Sequence, residues 1–67
     1  MTLKEKIDFL LAYGFSQARI EEATGITQSS ISKILNGQQD DVFYSKGRKL
    51  DGLVRQAQSS QNQGFQE

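Results

Sequence analysis

Apolar residues recur at helical spacing in four separate stretches of this 67-residue chain. Within each stretch they return every three or four positions, and polar residues fill the places between them. The pattern predicts an all-α domain with helices over roughly residues 3–13, 17–24 and 28–35 and a fourth that follows Ser45. The residues expected in its core are Leu3, Ile7, Leu10, Leu11, Phe15, Ile20, Ala23, Ile26, Ile31, Ile34, Leu35, Phe43, Leu50, Leu53 and Val54.

Capping residues mark the ends of the predicted helices. Thr2 and Glu5 have the spacing of a capping box ahead of the first helix, and Gly14 is expected to end it. Ser16 is a candidate N-cap of the second helix, and Gly37 follows the third, where a left-handed residue is common. The connections are short, so we predict a compact domain of four helices, or five at most.

The segment before the fourth helix is ambiguous in sequence. Val42, Phe43 and Tyr44 favour a strand, but an isolated strand would have no pairing partner. We therefore predict that they form an apolar clasp that packs into the core. Phe43 is expected to be buried there, whereas Tyr44 could belong either to the core or to a subunit contact. Ser45 is then predicted to cap the fourth helix.

The end of the chain differs in composition from the rest. From Gln58 onward the sequence is rich in Gln and Ser and contains one isolated Phe65. Such a segment has too little apolar surface to order itself. The sequence therefore predicts one domain over residues 1–58 and a polar, disordered tail over residues 59–67.

Composition excludes several functional classes. The chain contains no cysteine and no histidine, so disulfides, thiolate catalysis and the common zinc sites are excluded. Neither a nucleophile–base pair nor a phosphate-binding loop is present, and we predict that the chain is not an enzyme and uses no cofactor or metal. Charged residues interrupt the N-terminal segment, and no apolar run has membrane length, so a soluble cytoplasmic protein is expected.

The net charge is zero, from eight basic and eight acidic residues, which argues mildly against a nucleic-acid-binding protein. The charges are nevertheless segregated along the chain. Residues 46–58 contain four basic residues against the single Asp51, a local excess of three. We therefore expect weaker nonspecific binding to DNA, with a shallower salt dependence, than a strongly basic domain would show.

Residues 16–37 contain two short predicted helices joined by a glycine turn. The second helix has Ile31, Ile34 and Leu35 on one side and polar side chains on the other. The polar side chains are those of Gln28, Ser29, Ser32 and Lys33. They are suited to hydrogen bonds with base edges, and a helix pair of this kind places its second helix in the major groove.

Gln17, Ile20 and the run from Gly25 to Ile34 resemble the helix-turn-helix of the lambda repressor and Cro group of small phage and bacterial regulators. The resemblance implies a repressor-like domain that binds double-stranded DNA. It places Gln28 on an adenine and Lys33 on a guanine, with Ser29 at a neighbouring base or phosphate and Ser32 at a base or a thymine methyl group. It also implies that Gln17 and Asn36 contact phosphates.

Basic residues at the start of the fourth helix are further candidates for phosphate contacts. Lys46, Arg48 and Lys49 lie where the helix dipole and free N–H groups favour an anion. The alternative is that they form an ordinary charged, exposed face.

Two positions depart from the family pattern. Glu21 stands where the family usually has a small residue, most often alanine, that lets the two helices of the helix-turn-helix (the motif helices) approach each other. Its methylenes could cover the contact while its carboxylate reaches water, or the crossing of the two helices could change. Thr24 stands where a larger apolar residue is usual.

The resemblance implies a Cro-like or repressor-like regulator, from a phage or prophage, that occupies an operator and excludes polymerase in a bacterial host. Because such a small protein gains little affinity from one half-site, we expect a homodimer on a palindrome, with half-sites about one helical turn apart. Zero net charge favours a different hypothesis, an antitoxin-like protein-interaction module with weak DNA binding.

Overall fold

The computed structural model describes the backbone of residues 1–66 and the side chains of residues 1–59. It contains four helices, α1 (Leu3–Tyr13), α2 (Gln17–Thr24), α3 (Gln28–Leu35) and α4 (Tyr44–Gln66). No strand occurs in the described part of the chain. The all-α prediction is confirmed, and α1, α2 and α3 have the predicted bounds.

Side chains next to the helix ends explain where the first helices begin and stop. The Thr2 hydroxyl accepts the Glu5 N–H at 3.1 Å, and the Glu5 carboxylate accepts the Thr2 N–H at 2.9 Å. The Ser16 hydroxyl accepts the backbone N–H three residues on, at 3.1 Å. Gly14 and Gly37, with φ values of 125° and 78°, follow α1 and α3. These caps satisfy backbone groups that a short helix leaves unpaired.

The core lies where the four helices meet. α4 packs against α1 and α2, and α3 packs against the same two helices. A salt bridge between Lys6 and Asp51 joins α1 to α4 at the rim. Because its carboxylate is half-exposed, it contributes at most about 1 kcal/mol, and apolar packing dominates. The buried apolar residues are Ile7, Leu10, Ile20, Ile26, Ile31, Ile34, Leu50, Val54 and Ala57, with Leu3, Leu11, Phe15, Leu35 and Leu53 packed against them.

Thr24 is buried where the sequence predicted Ala23. Ala23 is exposed, whereas Thr24 is 1% exposed, so the core prediction for Ala23 is wrong. The Thr24 hydroxyl donates to the Ile20 carbonyl at 2.7 Å and accepts the Ile26 N–H at 3.1 Å. Because both of its hydrogen-bonding roles are filled, the polar side chain can be buried without an unsatisfied group.

The predicted apolar clasp is only partly correct. Val42 packs against the core, but Phe43 is 77% exposed, so the prediction that Phe43 is buried is wrong. The Phe43 carbonyl accepts the Gly47 N–H at 2.9 Å, which makes Phe43 the N-cap of α4. The backbone of an N-cap residue is not helical. The apolar repeat that places residues of α4 in the core therefore does not apply to the Phe43 side chain. Ser45 lies inside the first turn and is not the cap that the sequence predicted.

α4 continues to Gln66, further than the apolar repeat predicted. The side chains of residues 60–67 lie outside the described residues. The division into a domain over residues 1–58 and a disordered tail over residues 59–67 therefore stays a prediction.

Replacing Gly25 should destabilise the domain through backbone strain. Gly25 has φ +82° at the C-cap of α2, a conformation that costs an L-residue about 1–2 kcal/mol. A Cβ there would lie 3.8 Å from Lys46 Cε, which is ordinary contact, so the strain comes from the backbone alone. Gly25→Ala should lower the free energy of unfolding in urea by about that amount.

Gly52→Ala is the matched control for this substitution. Gly52 lies inside α4, and a Cβ added to it meets no atom within 4 Å. Alanine loses less backbone entropy than glycine when the helix forms. Gly52→Ala should therefore raise the free energy of unfolding by about 0.5–1 kcal/mol. Equal effects of the two substitutions would contradict the left-handed turn at Gly25.

Candidate nucleic-acid interface

α3 has one buried side and one exposed side. Ile31 and Ile34 are 0% and 1% exposed, and they anchor the helix in the core. The four predicted base-contacting side chains, those of Gln28, Ser29, Ser32 and Lys33, are exposed. Gln28 and Ser32 are four residues apart, as are Ser29 and Lys33, so the four form two adjacent rows along the helix surface. The structure brings them together on one continuous polar face.

The beginning of α3 is fixed by its own cap. The Thr27 hydroxyl accepts the Ser30 N–H at 3.1 Å. Gln28 and Ser29 therefore lie in an ordered first turn, next to backbone N–H groups and the positive end of the helix dipole. Thr27 was not among the caps predicted from sequence, although a threonine ahead of a polar–apolar helical repeat is the expected signal.

The turn between α2 and α3 is held by hydrogen bonds and by burial. The Gly25 N–H donates to the Glu21 carbonyl at 2.7 Å, which closes α2. Ile26 is 1% exposed, and its N–H is bound by the Thr24 hydroxyl. The departure from the family pattern at Thr24 thus supplies an added link across the turn. Because both sides of the turn are anchored, α3 has a defined position relative to α2.

Glu21 does not prevent the two motif helices from packing. α2 and α3 remain in contact, and the Glu21 side chain is half-buried. It lines an open surface groove together with Arg19 and Glu22. No residue of α3 lines this groove. That the Glu21 methylenes cover the contact between α2 and α3 therefore stays a prediction.

The two predicted phosphate contacts within the motif lie at helix ends. Gln17 is the first residue of α2 and is half-buried, next to the N-cap Ser16. Asn36 is the exposed C-cap of α3, and its N–H donates to the Ser32 carbonyl at 3.0 Å. Neither side chain is part of the core, so both remain candidates for polar contacts along a DNA backbone.

The three basic residues near the start of α4 do not form one cluster. Lys46 is half-buried beside the α2–α3 turn and shares a surface groove with Ser30 of α3. Arg48 is two residues further, on another side of the helix, with its guanidinium 5.8 Å from the centre of the Tyr44 ring. Lys49 is exposed, one turn after Lys46. Of the three, Lys46 is the residue that lines a groove together with a residue of α3.

Within the described residues, no helix has the length and apolar character needed to cross a membrane.

Comparison with known proteins agrees with this geometry. A family model described as helix-turn-helix matches residues 7–40, which is half of the chain and includes most of α1 and all of α2 and α3. Protein P2 of Acyrthosiphon pisum secondary endosymbiont phage 1 is 51% identical over 49 residues, an alignment that covers 73% of this chain and 52% of that protein. The chain thus spans about half the length of this relative. No solved structure matches the chain significantly. The chain belongs to the helix-turn-helix family of the lambda repressor and Cro type, as residues 7–40 and the phage relative together show.

Proposed function

We propose that the chain is a sequence-specific regulator that inserts α3 into the major groove of double-stranded DNA and acts by occupying an operator. The observation that carries this proposal is the exposed polar face of α3. Its side chains match the donors and acceptors of base edges, and the buried Ile31 and Ile34 fix their orientation. The relative comes from a phage, which supports a phage or prophage origin. We propose a Cro-like or repressor-like role for the chain there, in the cytoplasm of a bacterial host.

In this proposal the base contacts come from one face of one helix. Gln28, in the first turn, pairs with an adenine through its amide, and Lys33, on the same face, donates to a guanine. Ser29 and Ser32 lie beside them and donate to neighbouring bases or accept from them. A helix that enters the groove by its N-terminal half brings Gln28 and Ser29 deepest.

Phosphate contacts then hold α3 in register. Gln17 and Asn36 are placed at the ends of the motif helices, and Lys46 lies beside the turn between them. Lys49 extends the basic surface along α4. Few positive charges take part, so the electrostatic share of the affinity is small and a second half-site is needed. We therefore propose a homodimer on a palindromic operator.

Selection from random DNA duplexes at moderate salt tests the proposal directly. Sequencing of the bound pool should show a palindrome with half-sites about one helical turn apart. An enriched single half-site would contradict the dimer. Absence of any enrichment would contradict sequence-specific binding and favour the antitoxin-like protein-interaction module, to which the zero net charge points.

Gln28→Ala should weaken binding to the selected site by about 1–3 kcal/mol and relax the preference at one base pair. Loss of the amide removes two hydrogen bonds to a base, while the helix keeps its buried face. Gln56→Ala is the matched control, because Gln56 is an exposed glutamine on α4. Fluorescence anisotropy on the selected duplex and on a duplex changed at that base pair measures both effects. An equal loss on both duplexes would mean that Gln28 does not contact a base.

Lys46→Gln should instead weaken binding on every sequence and reduce the salt dependence. Removing one phosphate contact per subunit lowers the slope of log K against log salt by about one per half-site. Lys4→Gln is the matched control, since Lys4 is exposed on α1 and paired with Asp8 at 3.0 Å. Salt titrations of the three proteins on one duplex give the slopes. An unchanged slope for Lys46→Gln would remove Lys46 from the DNA interface.

A further inference from the structure

Phe43 and Tyr44 are the most exposed large apolar residues in the described part of the chain, at 77% and 80%. They are adjacent, at the beginning of α4, and the core does not use them. Asp40, Asp41 and Arg48 line the same surface depression. We call these five residues, the two aromatic and the three charged, the α4 aromatic patch. Neighbouring aromatic rings left in water, bordered by charged residues, are typical of a protein interaction site.

Each ring is contacted by a basic side chain of α4. Lys46 Nζ lies 5.5 Å from the centre of the Phe43 ring, and Arg48 Cζ lies 5.8 Å from that of Tyr44. Such cation–π contacts restrict the orientation of each ring. The backbone beneath is fixed too, because Val42 packs on the core and the Phe43 carbonyl caps α4. Rings presented on an ordered backbone lose little entropy when a partner covers them.

The charges of the patch are self-complementary. Asp40 and Asp41, in the loop before α4, and Arg48, on α4, line the depression. Lys6 and Asp51 line it too, but they form a salt bridge in which their charges offset each other. A two-fold axis through the rings brings the acidic side of one copy against the basic side of the other. The same two carboxylates would repel a phosphate backbone, which argues against DNA as the occupant of the patch.

We propose that a second copy of this chain docks on the α4 aromatic patch, which is then the homodimer interface. The proposal rests on the proposed function in one respect, because there the dimer serves to span a palindrome. The patch is suitably placed for this purpose. Phe43 and Lys46 share a groove with Ser30 of α3, so the patch borders the helix that would enter the major groove.

The size of the patch predicts a weak dimer. A buried Phe or Tyr covers about 150–250 Å², so the four rings of two copies bury roughly 600–1,000 Å². A stable interface buries about 1,200–2,000 Å². The dimer should therefore be largely dissociated in dilute solution and form on DNA, where two adjacent half-sites raise the effective concentration.

The double variant Phe43→Ala with Tyr44→Ala tests the patch, because neither ring belongs to the core. Sedimentation equilibrium without DNA should show self-association of the unchanged protein at high concentration, weakened by about thirtyfold or more in the variant. On the selected palindrome the variant should lose cooperative binding but keep the affinity of the unchanged protein for a single half-site. Tyr13→Ala is the matched control, since Tyr13 is an exposed aromatic residue on α1, outside the patch.

The outcomes separate this proposal from the proposed function. Self-association that depends on the patch supports the interface even if no DNA sequence is enriched. Self-association or cooperativity that survives in the double variant overturns it, as does a protein that stays monomeric at high concentration and on the palindrome. Loss of self-association in Tyr13→Ala, but not in the double variant, would place the interface on α1.

A charge exchange tests the two-fold arrangement itself. Asp40→Lys and Arg48→Asp should each weaken self-association without DNA, because each places like charges opposite each other across the axis. The double variant should restore it. Circular dichroism should show that both single variants are folded. If the double variant then does not regain self-association, the pairing of the acidic and basic sides is overturned.

Discussion

Burial of Ile31 and Ile34 is the constraint on which the rest of this structure depends. α3 has only eight residues, and isolated helices shorter than about 12–15 residues are marginal in water. The helix exists because these two side chains are anchored in the core, with Thr27 capping one end and Gly37 following the other. The same anchoring decides which side chains face outward. A rotation of α3 by one residue would carry polar side chains into the core, so core packing also sets the register of the polar face.

Much of this arrangement could be predicted from sequence, because helix periodicity and capping are local properties. The bounds of α1, α2 and α3 follow from apolar spacing and from residues such as Thr2 and Ser16. The errors lie where a tertiary contact decides. Thr24 can be buried because the Ile20 carbonyl of α2 and the Ile26 N–H of the turn satisfy its hydroxyl, and composition gives no sign of this. Phe43 is exposed because it occupies the N-cap of α4. The β-prone residues around it gave no sequence signal for a helix cap.

The near absence of charge on α3 determines what kind of DNA binding this surface supports. Lys33 is the one basic residue of the helix, and the acidic Glu21 and Glu22 lie on the neighbouring α2. Without a strong positive field, affinity for arbitrary DNA is low, and hydrogen bonds to bases supply a larger share of the binding free energy. A neutral protein can therefore discriminate between sequences well although each half-site binds weakly.

In the proposed dimer, weak half-sites and a small interface would together have a consequence for regulation. If the free protein is mostly monomeric, the concentration of the DNA-binding dimer rises with the square of the protein concentration. Operator occupancy then changes from low to high over a narrower range of protein concentration than a stable dimer would give. The exposed Phe43 and Tyr44, which add nothing to the core, acquire a role in this scheme. Enlarging the aromatic patch would strengthen the dimer and flatten the response, so a small interface suits a regulator whose output depends on its own concentration.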